Sequence, residues 1–290
     1  MQIFYDTHAH LDYPDFEADL PEIIERARAA GITRIIGIGT DLESSRRAIA
    51  MSERFENVFA VAGWHPTNVN EAPKDFRDDL RALANYPKVV ALGETGLDYH
   101  RLPLTPPLPP NRPLTPALAP KGEREDSPPA TGGEVEVYKE KQARLFEQHL
   151  EVAAELGLNC VIHQRDAMED TLKMMERFKG RVRGVFHCFS DGPAAMRRIL
   201  DLGSIVSYTG IVTFKNAQNI RDSVAATPLG SFMLETDCPY LAPVPYRGKR
   251  CEPAYVKEIA GVIAEVKGCT LETLSAETCA TAAKFFPKLA

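Results

Sequence analysis

The chain has 290 residues, of which 44% are hydrophobic and 26% charged, with a formal net charge of −6. That balance supports a sizeable core. The negative sum excludes general electrostatic attraction to nucleic acid, so any such site must be a local basic patch helped by bound cations. No apolar run approaches the roughly 20 residues of a membrane span.

The N-terminal stretch Met1-Gln2-Ile3-Phe4-Tyr5-Asp6 lacks the basic-then-apolar order of a secretory signal. Six cysteines are scattered without a C-x-x-C pair, which favours reduced thiols. Together these lead to the expectation of a cytoplasmic protein with no membrane partner. The first strand is expected at 3–10 and carries Thr7-His8-Ala9-His10. A helical pattern over 20–30 stops at Gly31, and a strand follows at 34–40. Next come a helix over 42–55, a strand at 58–65 ending in Gly63-Trp64-His65-Pro66, a helix over 76–85, and a strand at 88–94 ending on Glu94.

The alternation then breaks. Residues 102–134 hold 10 of the chain's 22 prolines. Within them Leu104-Thr105-Pro106-Pro107-Leu108-Pro109-Pro110 is echoed by Leu114-Thr115-Pro116-Ala117-Leu118-Ala119-Pro120. Prolines this dense cannot donate to a backbone ladder, so an extended or disordered insertion is expected, either a lid or inert. The pattern resumes with a helix over 136–156 and Gly157. Strands follow at 159–164 with His163, 183–188 with His187, 204–208, and 231–237 with Asp237, and Gly180 and Gly203 mark two more helix ends.

Eight strand–helix units imply parallel strands joined by right-handed crossovers. The expected fold is α/β: a (β/α)8 TIM-like barrel in one domain over 1–290, with the proline-rich insertion after the fourth strand. An open doubly wound sheet is the alternative. Without the insertion the chain is close to the about 250 residues of a plain barrel.

In such a barrel the C-terminal strand ends form one rim, where active sites lie. His8 and His10 are two apart on a strand and point to one side. His65, His163 and His187 also fall at expected strand ends, as do Glu94 and Asp237, a placement that scattered histidines would not show. We therefore expect His8, His10, Glu94, His163, His187 and Asp237 to hold metal, with imidazoles and carboxylates suiting zinc, manganese or magnesium. Six ligands exceed one tetrahedral ion, so a two-metal cluster bridged by Glu94 is expected. Asp237 can also accept the proton of an attacking water, and His65 is read as a substrate-facing acid or donor. Arg165, two residues beyond His163, is placed to take a phosphate. The loop Pro243-Val244-Pro245-Tyr246-Arg247-Gly248-Lys249-Arg250, joined by Lys215, offers cations for a nucleic-acid backbone and an aromatic ring to stack a base. His149 reads most simply as part of an amphipathic helix, and Cys188 and Cys238 as buried, inert thiols.

These residues resemble the TatD-type metal-dependent deoxyribonucleases of the amidohydrolase superfamily. The likeness rests on Asp6-Thr7-His8-Ala9-His10-Leu11, Gly63-Trp64-His65-Pro66, Gly93-Glu94-Thr95-Gly96-Leu97-Asp98-Tyr99, Ile162-His163-Gln164-Arg165, His187-Cys188-Phe189-Ser190, Gly210-Ile211-Val212-Thr213-Phe214-Lys215, Glu235-Thr236-Asp237-Cys238-Pro239-Tyr240-Leu241-Ala242-Pro243 and Tyr246-Arg247-Gly248-Lys249-Arg250. It implies a β/α barrel, two divalent ions per subunit (Mg²⁺ or Mn²⁺, with Zn²⁺ open), and 3′–5′ exonuclease activity on single-stranded DNA in DNA catabolism. The same six residues would bind metal, and no obligate protein partner is implied. Cys251 and Thr281 stand where the family usually has Asn, both outside the expected metal shell. Cleavage of another bond on the same architecture, such as a D-aminoacyl ester on tRNA, stays open.

Overall fold

The computed structural model describes residues 2–102 and 132–289. Eight parallel strands pair in sequential order: β1 (Phe4–Ala9), β2 (Ile32–Ile38), β3 (Val58–Ala62), β4 (Val89–Asp98), β5 (Cys160–Arg165), β6 (Gly184–Phe186), β7 (Ile205–Tyr208) and β8 (Phe232–Leu234). The sheet closes where the ends of β1 and β8 meet. There Asp237 N–H donates to the His8 carbonyl and His10 N–H to the Cys238 carbonyl, each at 2.9 Å. This is the barrel rather than the open sheet.

Around the strands run α1 (Leu20–Ala29), α2 (Leu42–Arg54), α3 (Arg77–Ala84), α4 (Gly132–Leu156), α5 (Met168–Glu176), α6 (Pro193–Asp201), α7 (Gln218–Ala226), α8 (Val256–Lys267) and α9 (Leu271–Phe285). Their starts and faces follow local chemistry. Asp41 caps α2 through the Ser44 N–H, Thr270 caps α9 through the Thr273 N–H, and prolines open α1 and α6. In α1 the buried residues Leu20, Ile23, Ile24 and Ala27 form the i, i+3, i+4, i+7 stripe that packs on the sheet.

Alternation along the strands divides the core. One set of side chains packs outward under the helices. The other, with Ile36, Ile38, Val61, Val90, Val161, Val185, Ile205 and Met233, fills the lumen and meets Phe285, Phe286 and Leu289 from the end of α9. Hydrogen bonds from Ser275 to the Ile3 carbonyl and from Asn159 to the Phe285 carbonyl place α9 across the N-terminal mouth of the barrel. The lumen is therefore plugged at one end, and its other end carries the polar residues.

Several boundaries differ from those read in the sequence. β4 does not end at Glu94 but continues to Asp98, across a register shift between Leu92 and Thr95. β6 and β8 stop early, so His187 and Asp237 lie just past their strands. The helix expected over 136–156 begins at Gly132, so residues 132–134 belong to α4 and not to the insertion. The rest of that proline-rich stretch, from 103 to 131, lies outside the described residues. All six cysteines are free thiols. Among the described residues, no helix is long and apolar enough to cross a membrane.

Candidate metal centre at the strand ends

Residues brought from five strand ends meet around the carboxylate of Glu94. His8 and His10 project from β1 and its end with their Nε2 atoms 3.3 Å apart. Asp237, just past β8 in a left-handed conformation (φ 56°), puts Oδ1 at 3.7 Å from His8 Nε2 and 3.3 Å from His10 Nε2. Glu94 Oε2 lies 3.4 Å and 3.7 Å from the same two nitrogens. Four donors at about 2.1 Å from one ion would stand roughly 3.4 Å apart in a tetrahedron, and the separations of the two imidazole nitrogens from each other and from the two carboxylate oxygens, 3.3–3.7 Å, match that spacing. Glu94 Oε2 is buried and takes no hydrogen bond among the described residues. An anionic oxygen so placed calls for a cation.

The other oxygen of Glu94 faces a different set. Oε1 lies 2.8 Å from His187 Nε2, 2.9 Å from His163 Nδ1 and 3.3 Å from His65 Nε2. His163 Nδ1 and His187 Nε2 are 3.2 Å apart. The six residues expected to hold metal thus converge, with one carboxylate turned toward both groups.

Beyond them lie three buried carboxylates. Asp98 Oδ2 approaches His163 Nε2 at 3.2 Å, while its Oδ1 accepts from the His100 and Arg101 N–H groups, each at 2.9 Å. Glu235 Oε1 accepts from the Cys188 N–H at 2.6 Å and lies 3.7 Å from His187 Nδ1. Asp6 accepts from the Thr236 N–H and hydroxyl and from the His8 N–H, fastening the strands that carry His8 and Asp237. Such outer carboxylates fix ring orientation in metal sites. Sequence reasoning passed over all three. The signal was their spacing: Asp6 and Glu235 precede His8 and Asp237 by two residues, the same side by alternation.

The electrostatics suit cation binding. Burial alone would raise Glu94 and Asp237, but His187, His65 and His163 hold Glu94 well below the usual carboxylate range, and His10 and His8 lower Asp237. Burial, with His187 beside it, pushes His8 down and keeps it neutral. Burial would also lower His10, His163 and His187, yet their carboxylates push them up. A metal that takes these rings must release those protons.

His65 differs from its expected role. It is 4% exposed and faces Glu94 rather than open solvent. Its Nδ1 accepts from the Thr67 N–H at 3.1 Å. The neutral ring therefore carries its proton on Nε2, directed at Glu94 Oε1. Burial pushes its pKa down to about 4, so it is a neutral donor to the carboxylate and not a charged acid.

The cations vary in how they are engaged. Arg165 is half-buried on β5, two residues from His163, and has no ion pair among the described residues. Lys215 is exposed. In the loop after β8, the Arg247 guanidinium sits 3.7 Å over the Phe214 ring and Lys249 lies 5.9 Å from the Tyr246 ring. One face of Tyr246 is taken by Tyr255, stacked at 4.1 Å, which leaves only the other for a base. Arg250 is tied to Asp19, so it anchors the loop. The rim also has an acidic sector. A cleft of about 570 Å³ between the loops after β5 and β6 is lined by Asp166, Glu169, Asp170 and Asp191 along with Tyr99 and Arg198.

A family model described as TatD related DNase matches residues 5–287. The uncharacterized metal-dependent hydrolase YabD of Bacillus subtilis is 34% identical over 285 residues, which cover 98% of this chain and 99% of that protein. The 3′-5′ ssDNA/RNA exonuclease TatD of Klebsiella pneumoniae is 28% identical over 288 residues, 97% of each. Among solved structures, YJJV, a TatD homolog from Escherichia coli K12, superposes with a TM-score of 0.81 at 25% identity, covering 98% of both chains.

Proposed function

The chain belongs to the TatD related DNase family, and from that membership we propose that it is a metal-dependent phosphodiesterase that removes nucleotides from the 3′ end of single-stranded DNA. One observation carries the reading: the two oxygens of Glu94 face two separate sets of nitrogen and oxygen donors, the first with His8, His10 and Asp237, the second with His163 and His187. Two divalent ions held there would lower the pKa of a water and offset charge on the phosphate. Mg²⁺ or Mn²⁺ suits the hard carboxylates, and Zn²⁺ the imidazoles.

The chain's own groups then have distinct tasks. Asp237 is the most accessible of the inner carboxylates, its side chain 13% exposed against 3% for Glu94. It takes the proton of the attacking water as the water oxygen bonds to phosphorus and the P–O3′ bond breaks, the released 3′-oxygen of the shortened strand taking a proton from solvent; general bases typically accelerate such a step about 10²–10⁴-fold. Glu94 stays anionic, its Oε1 held by the Nε2–H of His65. Arg165 takes a non-bridging phosphate oxygen through its paired N–H groups. Lys215, Arg247 and Lys249 contact the backbone on the β7–β8 side, and the face of Tyr246 turned away from Tyr255 stacks a base. The acidic cleft repels a polyanion from the β5–β6 side, so the strand leaves across the basic loops.

The test uses single strands labelled at either end, incubated with Mn²⁺, Mg²⁺, Zn²⁺ or a chelator, beside a D-aminoacyl-tRNA. Metal-dependent release of label from the 3′ end, before any from the 5′ end, is the expected result. Deacylation of the tRNA without loss of DNA would replace this reading with ester hydrolysis.

A further inference from the structure

One stripe of α4 reaches over the ends of β3 and β4 and bonds to the residues that flank the proposed centre. Tyr138, Gln142 and His149 recur at intervals of four and seven residues on the helix, which places them on one face. Tyr138 donates its hydroxyl to the Thr67 carbonyl at 3.2 Å. Gln142, fully buried, accepts from the Asp98 N–H at 3.0 Å and donates to the carbonyls of Pro66 at 3.2 Å and Asp98 at 3.1 Å.

His149 is fully buried as well. Its Nε2 accepts from the Trp64 N–H at 3.0 Å. Since a backbone N–H only donates, the ring proton lies on Nδ1, which is 2.8 Å from the Leu145 carbonyl and 2.9 Å from Thr95 Oγ1. Burial pushes its pKa down to about 4, so the ring is neutral. The packing leaves no slack. A Cβ on Gly63 would stand 2.4 Å from the Gly93 carbonyl oxygen and 2.7 Å from His149 Nε2, so only glycine allows this approach.

The bonds of His149 to Trp64 and Thr95, and those of Gln142, end beside residues of the proposed centre. Trp64 and Pro66 flank His65, Thr95 follows Glu94, and Asp98 contacts His163. We infer that α4 is the template that sets Glu94, His65 and His163 in register, with His149 and Gln142 as its positioning residues. The inference rests on the reading of Glu94 as a bridging metal ligand. A neutral imidazole is needed because a charged one has no acceptor for Trp64, whose buried N–H would be left unpaired. The expected consequence is a misplaced carboxylate rather than an unfolded barrel.

The test is a Mn²⁺ titration of the full chain, with free Mn²⁺ counted by electron paramagnetic resonance, for wild type, His149→Leu, His149→Gln and Gln142→Leu. Circular dichroism reports folding in parallel. Loss of an outer-shell partner should weaken Mn²⁺ binding by about 10–100-fold in both leucine variants. The glutamine variant, which can accept from Trp64 and donate to Thr95, should recover most of the affinity. Should His149→Leu fail to fold, Gln142→Leu and His149→Gln make the same contrast. Folded leucine variants that bind Mn²⁺ as wild type does, or a glutamine variant as weak as leucine, would overturn the inference alone. Wild type that takes up no Mn²⁺ would overturn both it and the metal reading beneath it.

Discussion

The two mouths of the barrel differ in the polar groups they leave unanswered. At the N-terminal mouth most carbonyls are answered within the chain, and the buried atoms left without a hydrogen bond among the described residues there, Arg34 Nε and Asn57 Nδ2, are donors and not metal-ligating groups. Lys88 Nζ donates to the carbonyls of Ser52, Phe55, Glu56 and Val58, Lys267 Nζ to those of Val224, Ala225 and Thr227, and Lys288 Nζ to that of Ala84. These lysines close the carbonyl ends of helices that run down to this side, and the phenylalanines of α9 seal the lumen between them. At the C-terminal mouth, by contrast, His8 Nδ1, His10 Nδ1, Asp12 Oδ1, Glu94 Oε2 and His187 Nδ1 are buried without a hydrogen bond among the described residues. Four non-glycine residues with positive φ, Asp166, Cys188, Asp237 and Leu241, also lie on that side. Strain and unmet polarity persist where surrounding structure enforces them, and they mark places kept for a ligand.

The contrast can be broken most severely at the rim. Asp237→Asn should lower kcat by about 10²–10⁴-fold while leaving the melting temperature unchanged or raised, since it removes a buried charge. Activity and thermal unfolding measured on one preparation check this. A kcat close to wild type would end the assignment of Asp237 as proton acceptor.

The plug should respond in reverse. Phe285 is fully buried, and Phe285→Ala should cost about 3–5 kcal/mol of stability with kcat per folded molecule retained. Denaturant titration gives the first quantity and initial rates below the transition the second. A matching loss of kcat would show that the two mouths are coupled rather than separate.

A third probe uses pH. His149 titrates at about 4 in the folded chain against 6.5 for an ordinary imidazole. Between those values the unfolded chain holds a proton that the native one does not, so stability rises with pH. The contribution is present above pH 6.5 and lost as pH falls toward 4, by roughly 3 kcal/mol in all. His149→Gln should flatten that part of the curve, and an unchanged curve would reassign the acid sensitivity.

The smallest effects belong to the rim cations. Arg247→Ala or Lys249→Ala should each reduce the slope of log affinity against log salt for a single strand by about 0.7, with kcat hardly moved. Equal slopes in wild type and variant would place the strand elsewhere.

The parts of this architecture legible in the sequence were those set by local, repeating chemistry. Strand–helix alternation and Gly31, Gly157, Gly180 and Gly203, all at positive φ in the structure, marked the elements of the barrel. His8 and His10 announced themselves by alternation. What stayed hidden depended on tertiary approach. The run of β4 through Gly93 and Gly96 to Asp98 requires two positive-φ glycines packed against β5, and glycine in a strand reads more readily as an end. His149 shows a helical spacing like any core residue, and only the approach of Trp64 reveals it as an acceptor. His65 lies in a conspicuous motif, but whether it faces solvent or Glu94 is decided by Thr67 taking its Nδ1.

The central claim is that Glu94 joins two cation sites, and counting bound Mn²⁺ tests it directly. Wild type should take up two ions per chain whose paramagnetic signals are coupled, as expected for centres about 3.5–4 Å apart, and Glu94→Gln should lose the coupling and weaken both. A single ion per chain, or two uncoupled ions indifferent to Glu94→Gln, would contradict the account.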